Sequence, residues 1–285
     1  MFWKILANEN TKILNRRLFW VEIALAALLV LGILLALYIT IEINQNGSAL
    51  PSEERLMLMK AITWPDGLVN VVELSGSNGF GGLFLIILVG AVTAQEYSWR
   101  TLHLWLSRGV SRPVLVIAKL TAFLLAAILL VLSALGTGSA VTAIISAKIN
   151  GSLYLGQLDF PHLFFSVLRT TLTLLPYGSL TFLLAVASRS TVVAISGGLA
   201  YTLLIETLII QVSGLLGERV AQVMQYLPGS LASSLSSLNN ATLGTVGSAE
   251  VSLVDPLHAA IGLGVWTMLF LGLSLWIFQR QDLAE

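Results

Sequence analysis

Long intervals without a charge constrain this chain more than any other feature. No charged residue occurs between Glu73 and Glu96, Lys119 and Lys148, Arg169 and Arg189, or Asp255 and Arg280. Two further apolar stretches run from Ile23 to Ile41 and from Thr191 to Gln211, the latter interrupted only by Glu206. A bilayer-spanning helix needs roughly 20 predominantly apolar residues. Each stretch accommodates one, because in lipid a helix pairs its own backbone N–H and C=O groups internally. The expected fold is therefore an all-α polytopic membrane protein with six spans, at about 19–41, 79–95, 113–136, 165–187, 191–212 and 257–278, in one transmembrane domain covering 1–285. With 56% hydrophobic and only 11% charged residues, the chain lacks the polar surface of a soluble domain of 285 residues.

Charge placement sets an expected orientation. Lys4, Lys12, Arg16, Arg17, Arg100, Arg108, Arg112, Lys119, Arg189 and Arg280 fall on one side of the six spans. The opposite loops carry few cations and Glu53, Glu54, Asp66, Glu73 and Glu250. The positive-inside bias then puts both termini in the cytoplasm of a multi-pass plasma (inner) membrane protein. The first apolar run begins late and exceeds an h-region in length, so it reads as a retained span. A net charge of zero points to no nucleic-acid partner. The absence of cysteine excludes thiol chemistry and cysteine metal sites. His103, His162 and His258 lie on separate segments, so no metal site is expected.

Local patterns fill in the rest. Residues 1–17 read as an amphipathic helix in the membrane interface, with Glu9 and Lys12 on it. Asn46-Gly47-Ser48 followed by Pro51-Ser52-Glu53-Glu54 reads as a turn and then a short outer helix. Span three is expected to end near Gly136-Thr137-Gly138-Ser139, and Pro176 to kink span four. Gly76, Gly79, Gly81 and Gly82 open span two without a strand before them, which fits close helix packing rather than a dinucleotide site. Asn46, Asn150 and Asn240 match the glycosylation acceptor pattern in outer segments. Between spans five and six, Val220, Val223, Met224 and Leu227 recur at helical spacing. That piece reads as amphipathic or re-entrant, followed by a Pro228-Gly229 turn and a serine-rich run.

The link 96–112 stands out. Ser98 reads as the cap of a short helix presenting Trp99, Leu102 and Leu106 on one face, with Trp105 beside them and Arg108 near its C-terminal end. An exposed apolar face of this kind suits docking, either onto a partner or onto the membrane surface. In Glu96, Thr101, Leu102, Leu106, Ser111, Arg112 and the later Lys119, the chain resembles the permease subunits of type-2 ABC exporters, the ABC-2 family. Arg100 stands where that family has glycine, and Gly109 where it has proline. Glu9 with Lys12, and Arg280 with Asp282 and Leu283, repeat two further family elements.

The resemblance implies a permease subunit working with a second permease, the same chain or another, and with two ABC ATPase subunits. It assigns coupling to Glu96, Trp99, Arg100, Thr101, Leu102, Trp105, Leu106, Arg108, Ser111 and Arg112. The chain has no Gly-x-x-x-x-Gly-Lys-Ser/Thr loop, so it is expected to bind no cofactor itself and to take no catalytic role, with ATP and Mg held by the partner ATPase. The mostly apolar spans lean toward a hydrophobic or amphipathic cargo. Two other functions are weighed: a non-transporting anchor or sensor that recruits an ATPase, and an intramembrane enzyme, for which no catalytic motif is present. Glu206, a carboxylate at membrane depth, reads either as a substrate or cation contact in the pathway or as a hydrogen-bonded packing residue near Tyr201 or Thr202.

Overall fold

The computed structural model describes residues 2–45, 52–99, 101, 105, 107, 109–151, 158–213, 218–239 and 254–281. Among them the chain is helical and holds no strand. Six helices among the described residues are long and apolar enough to cross a membrane. Arg100, Leu102, His103, Leu104, Leu106, Arg108, Asn46 and Asn240, on which several expectations fall, lie outside the described residues.

The first helix, α1 (Phe2–Leu14), buries Ile5, Leu6, Glu9 and Ile13 and leaves Trp3 and Leu14 exposed. Its inner face meets protein, packing along α6 (Arg112–Asn150). The first span, α2 (Arg17–Gln45), buries Phe19, Glu22, Ala26, Val30, Leu34 and Ile41. Their recurrence every three or four residues makes one stripe, which packs mainly on α6. On the other side Trp20, Leu28, Leu35 and Ile39 are exposed, as lipid contact requires.

Two short helices follow, α3 (Ser52–Ile62) and α4 (Asp66–Leu74), where a single outer helix is expected from the sequence. The glycine cluster then allows a tight entry into α5 (Phe80–Ser98). A β-carbon on Gly79 would run into the Leu74 carbonyl, and one on Gly81 into the Ser75 carbonyl.

Three local expectations are corrected. The helix α6 does not end at Gly136–Ser139 but continues to Asn150, where Gly151 closes it with φ +71°. Polar side chains do not break it: Ser133, Thr137, Ser139 and Thr142 donate their hydroxyls to carbonyls one turn back in the same helix. Gly138 gives α4 room, since a β-carbon there would lie 2.6 Å from Val71. Second, Ser98 ends α5 rather than capping a new helix. Third, Pro228-Gly229 is no turn but the start of a helix, α11, because proline is tolerated at the first helical position, where its missing N–H is not needed.

The fourth span, α7 (Phe160–Ser188), begins at Asp159, whose carboxylate accepts from the His162 N–H at 3.1 Å, and continues past Pro176 to Ser188. The fifth comprises α8 (Thr191–Ala200), a π-helical segment (Tyr201–Glu206) and α9 (Thr207–Ser213). The Thr207 hydroxyl reaches the carbonyl five residues back, at Thr202, across this wider turn. Beyond it lie α10 (Glu218–Met224), the nine-residue α11 (Pro228–Ser236) and the last span, α12 (Pro256–Arg280). Serines 233, 234 and 236 turn their hydroxyls onto carbonyls within α11, so the serine run is compatible with a buried helix. Helices α5 and α7 are buried over most of their length and form the centre, while α2, α8 and α12 are largely exposed around it.

Candidate functional site: a ring of four charges beneath the link between α5 and α6

The second half of α1, the end of α5 and the beginning of α6 meet on the side of the molecule that carries the termini. Four charged side chains close a ring there. Lys12 lies 2.6 Å from one oxygen of Glu9 and 3.2 Å from one oxygen of Glu96. Lys119 lies 2.8 Å from the other oxygen of Glu9 and 2.6 Å from the other oxygen of Glu96. Each ammonium thus bridges both carboxylates, and each carboxylate binds both ammoniums. The Glu9, Glu96 and Lys119 side chains are no more than 3% exposed. Burial pushes the Glu9 carboxyl up, but Lys119 and Lys12 outweigh it and hold the group below its ordinary carboxylate value. Two positive and two negative charges cancel, which is what makes a cluster tolerable away from water.

The ring is roofed by cation–aromatic contacts with the link. Lys12 sits 5.3 Å from the Trp105 ring centre, and Arg16 sits 5.6 Å from that of Trp99. Arg16 also donates to the Gln95 side chain. Trp99 is 65% exposed despite this contact, and Trp105 is half-buried against the core. An open cleft beside them is lined by Lys12, Arg16, Arg17, Gln95, Glu96 and Trp99. At the far end of the link Gly109 takes φ +77°, and Ser111 precedes α6 in an extended conformation. Arg112 then donates to the carbonyls of Phe278, of Gln279 at 2.7 Å and of Gln281 at 3.1 Å. A guanidinium on the unpaired carbonyls of a helix C-terminus is favoured by both hydrogen bonding and the helix dipole.

The expected coupling residues thus separate into groups. Glu96, with the interfacial-helix residues Glu9 and Lys12, is a buried ring member. Trp99 and Trp105 form the roof. Thr101, Trp105 and Ser107 have helical backbone, and the Thr101 hydroxyl reaches back to the Glu96 carbonyl at 3.4 Å. Arg112 ties the start of α6 to the end of α12. Lys119, which matches the family pattern without a role that the sequence specifies, is the buried counter-charge of both glutamates. Its position within the first eight residues of a spanning helix was the available signal.

Glu206 lies elsewhere, at the end of the π segment. It is 4% exposed, and its carboxylate accepts from the Tyr177 hydroxyl at 2.8 Å and from the Gly229 N–H. The partner is Tyr177 of α7, not the neighbouring Tyr201 or Thr202. Glu206 therefore joins the fifth span to α7 and to the first turn of α11. A second polar cluster on that side was not anticipated: Arg169 donates to Asn239 at 2.8 Å, and Asn239 donates to Glu73 at 3.1 Å. Among the described residues no group of histidines and carboxylates is arranged to hold a metal.

This arrangement defines a class: a six-span helical membrane protein whose terminal side is tied together by one buried charge ring. A family model described as ABC-2 family transporter protein matches residues 3–283. The chain belongs to that family, and it is a permease-type membrane component of an ABC transporter. No curated protein matches the chain closely enough to count as a relative.

Proposed function

We propose that this chain is the membrane-spanning subunit of an ATP-driven exporter and that two ABC ATPase subunits act on it through the link 96–112. A second permease subunit completes the pathway, both termini face the cytoplasm of the plasma membrane, and the cargo is hydrophobic or amphipathic. ATP and Mg belong to the ATPase subunits. One observation carries this reading: the ring joins α1, α5 and α6 directly under the link. A push on Trp99 or Trp105 is then delivered to three helices together, since a buried four-charge ring resists being pulled apart one pair at a time. On the opposite side Glu206 would hold α11 in place over the end of the pathway, making it a positioning residue for an outer closure.

The test is a W105E variant reconstituted with its copurifying ATPase. Hydrolysis that persists while transport falls at least about tenfold, a loss of about 1.4 kcal/mol of coupling, supports the assignment. Unchanged transport would refute it. A stoichiometric ATPase with no ATP-dependent movement of any cargo would favour the anchor reading instead.

A further inference from the structure

The stripe that α2 lays against α6 contains one residue that does not belong with the rest. Glu22 is 2% exposed and lies between Phe19 and Ala26 on that face. Among the described residues neither of its carboxylate oxygens has a hydrogen-bond partner. The charges on the elements packed against α2 are paired elsewhere, exposed to solvent as Lys4 of α1 is, or placed at its far end. Glu9 and Lys12 of α1, Glu96 of α5 and Lys119 of α6 close the ring. Arg112 of α6 is on the end of α12, and Lys148, at the other end of α6, sits 5.0 Å from the Tyr38 ring. Glu54, Arg55 and Lys60 belong to α3, whose Leu58 and Met59 pack with Leu37, Tyr38 and Ile41 at the far end of α2.

An ionised carboxylate without counter-charge or donors is far too costly in an apolar seam, whereas a protonated one costs no more than an unpaired polar group. Glu22 is only five residues into α2, about 8 Å along its axis, so a short excursion brings it to the aqueous boundary. We infer that Glu22 is a proton-binding site, and that α2 lies closed against α6 only while the proton is bound. The step is simple acid dissociation: the O–H bond breaks, the proton leaves to water, and the carboxylate left behind must follow it to solvent by moving α2 off α6.

Two measurements on the full chain in lipid test it. Infrared difference spectra between wild type and E22Q at neutral pH should show loss of a protonated carboxylic C=O stretch. Loss of a carboxylate stretch instead would overturn the proposal. Because the chain contains no cysteine, A26C on the same buried stripe is a unique reporter of seam opening. Its modification by a water-soluble maleimide should climb at alkaline pH by up to roughly tenfold per pH unit beyond the climb in A26C/E22Q, the limit for one linked proton. Coincident profiles would show that Glu22 does not control the seam. E22Q keeps the shape of the side chain, and E22L provides a second neutral variant should the amide fold poorly.

Discussion

Lys119 is the residue on which the ring depends most. Lys119→Met would leave Glu9 and Glu96 buried with only the partly exposed Lys12 between them. Breaking a buried charge pair from one side typically costs about 3–5 kcal/mol. The expected result is a large drop in unfolding temperature of the purified protein, partly recovered in K119M/E9Q because that pair removes opposite charges together. A simple sum of the two single losses would contradict the ring. The pH dependence has a definite sign. Glu9 is held below its ordinary value by Lys119 and Lys12, against the effect of burial. Its contribution is therefore complete above the unfolded pKa of about 4.3 and is lost as pH falls through the lower folded value. Wild type should lose stability through that acid range, and E9Q should lose less over the same interval. An identical acid limb in both would remove Glu9 from the account.

At the scale of elements, the helices were legible and their ends were not. Windows free of charge, or interrupted only by Glu206 in the fifth, pointed to all six apolar helices, because a span must exclude most charge over a fixed length. The same rule says nothing about where a helix stops once it leaves lipid, which is why α6 overran Gly138 by a further twelve residues. Its continuation depends on α4 packing where Gly138 has no side chain, a contact between segments far apart in sequence. The helix α11 was missed for a related reason: serines favour turns when exposed, but here their hydroxyls are absorbed by the helix's own carbonyls. Glu206 was visible as a carboxylate out of place, yet its partners Tyr177 and Gly229 come from two other elements. Glu206→Ala would strip the acceptor from both and should cost about 1–3 kcal/mol, whereas Glu206→Gln retains an acceptor oxygen and should cost less. Thermal unfolding of the two variants side by side checks the order. Gly138→Leu should cost about 1–3 kcal/mol by forcing α4 from α6, which the same assay reads directly.

For the whole molecule, the charge-bearing contacts between helices sort into two layers, one at the side of the termini and one away from it. One layer contains the ring and the Arg112 tie at the side of the termini. The other contains Glu206 with Gly229, and Arg169 with Asn239 and Glu73. Only the first was foreshadowed by motif matches, at Glu9, Lys12, Glu96, Arg112 and Lys119, whereas no pattern in the sequence pairs Asn239 with Glu73. The core between the layers, built around α5 and α7, has to transmit any change from one to the other. Arg112 offers a way to ask whether the resting molecule already does so. It caps the last turn of α12, a helix that also packs on α11 at the opposite layer. Arg112→Gln removes the charge and most of those donors without adding bulk. Amide hydrogen exchange should rise at residues 276–281, where the cap is lost, and stay unchanged across Pro228–Ser236, because α11 is held independently by Glu206 and by the Val254 N–H donating to Ser234. Faster exchange in both places would mean that α12 carries the release of one layer to the other as a rigid rod.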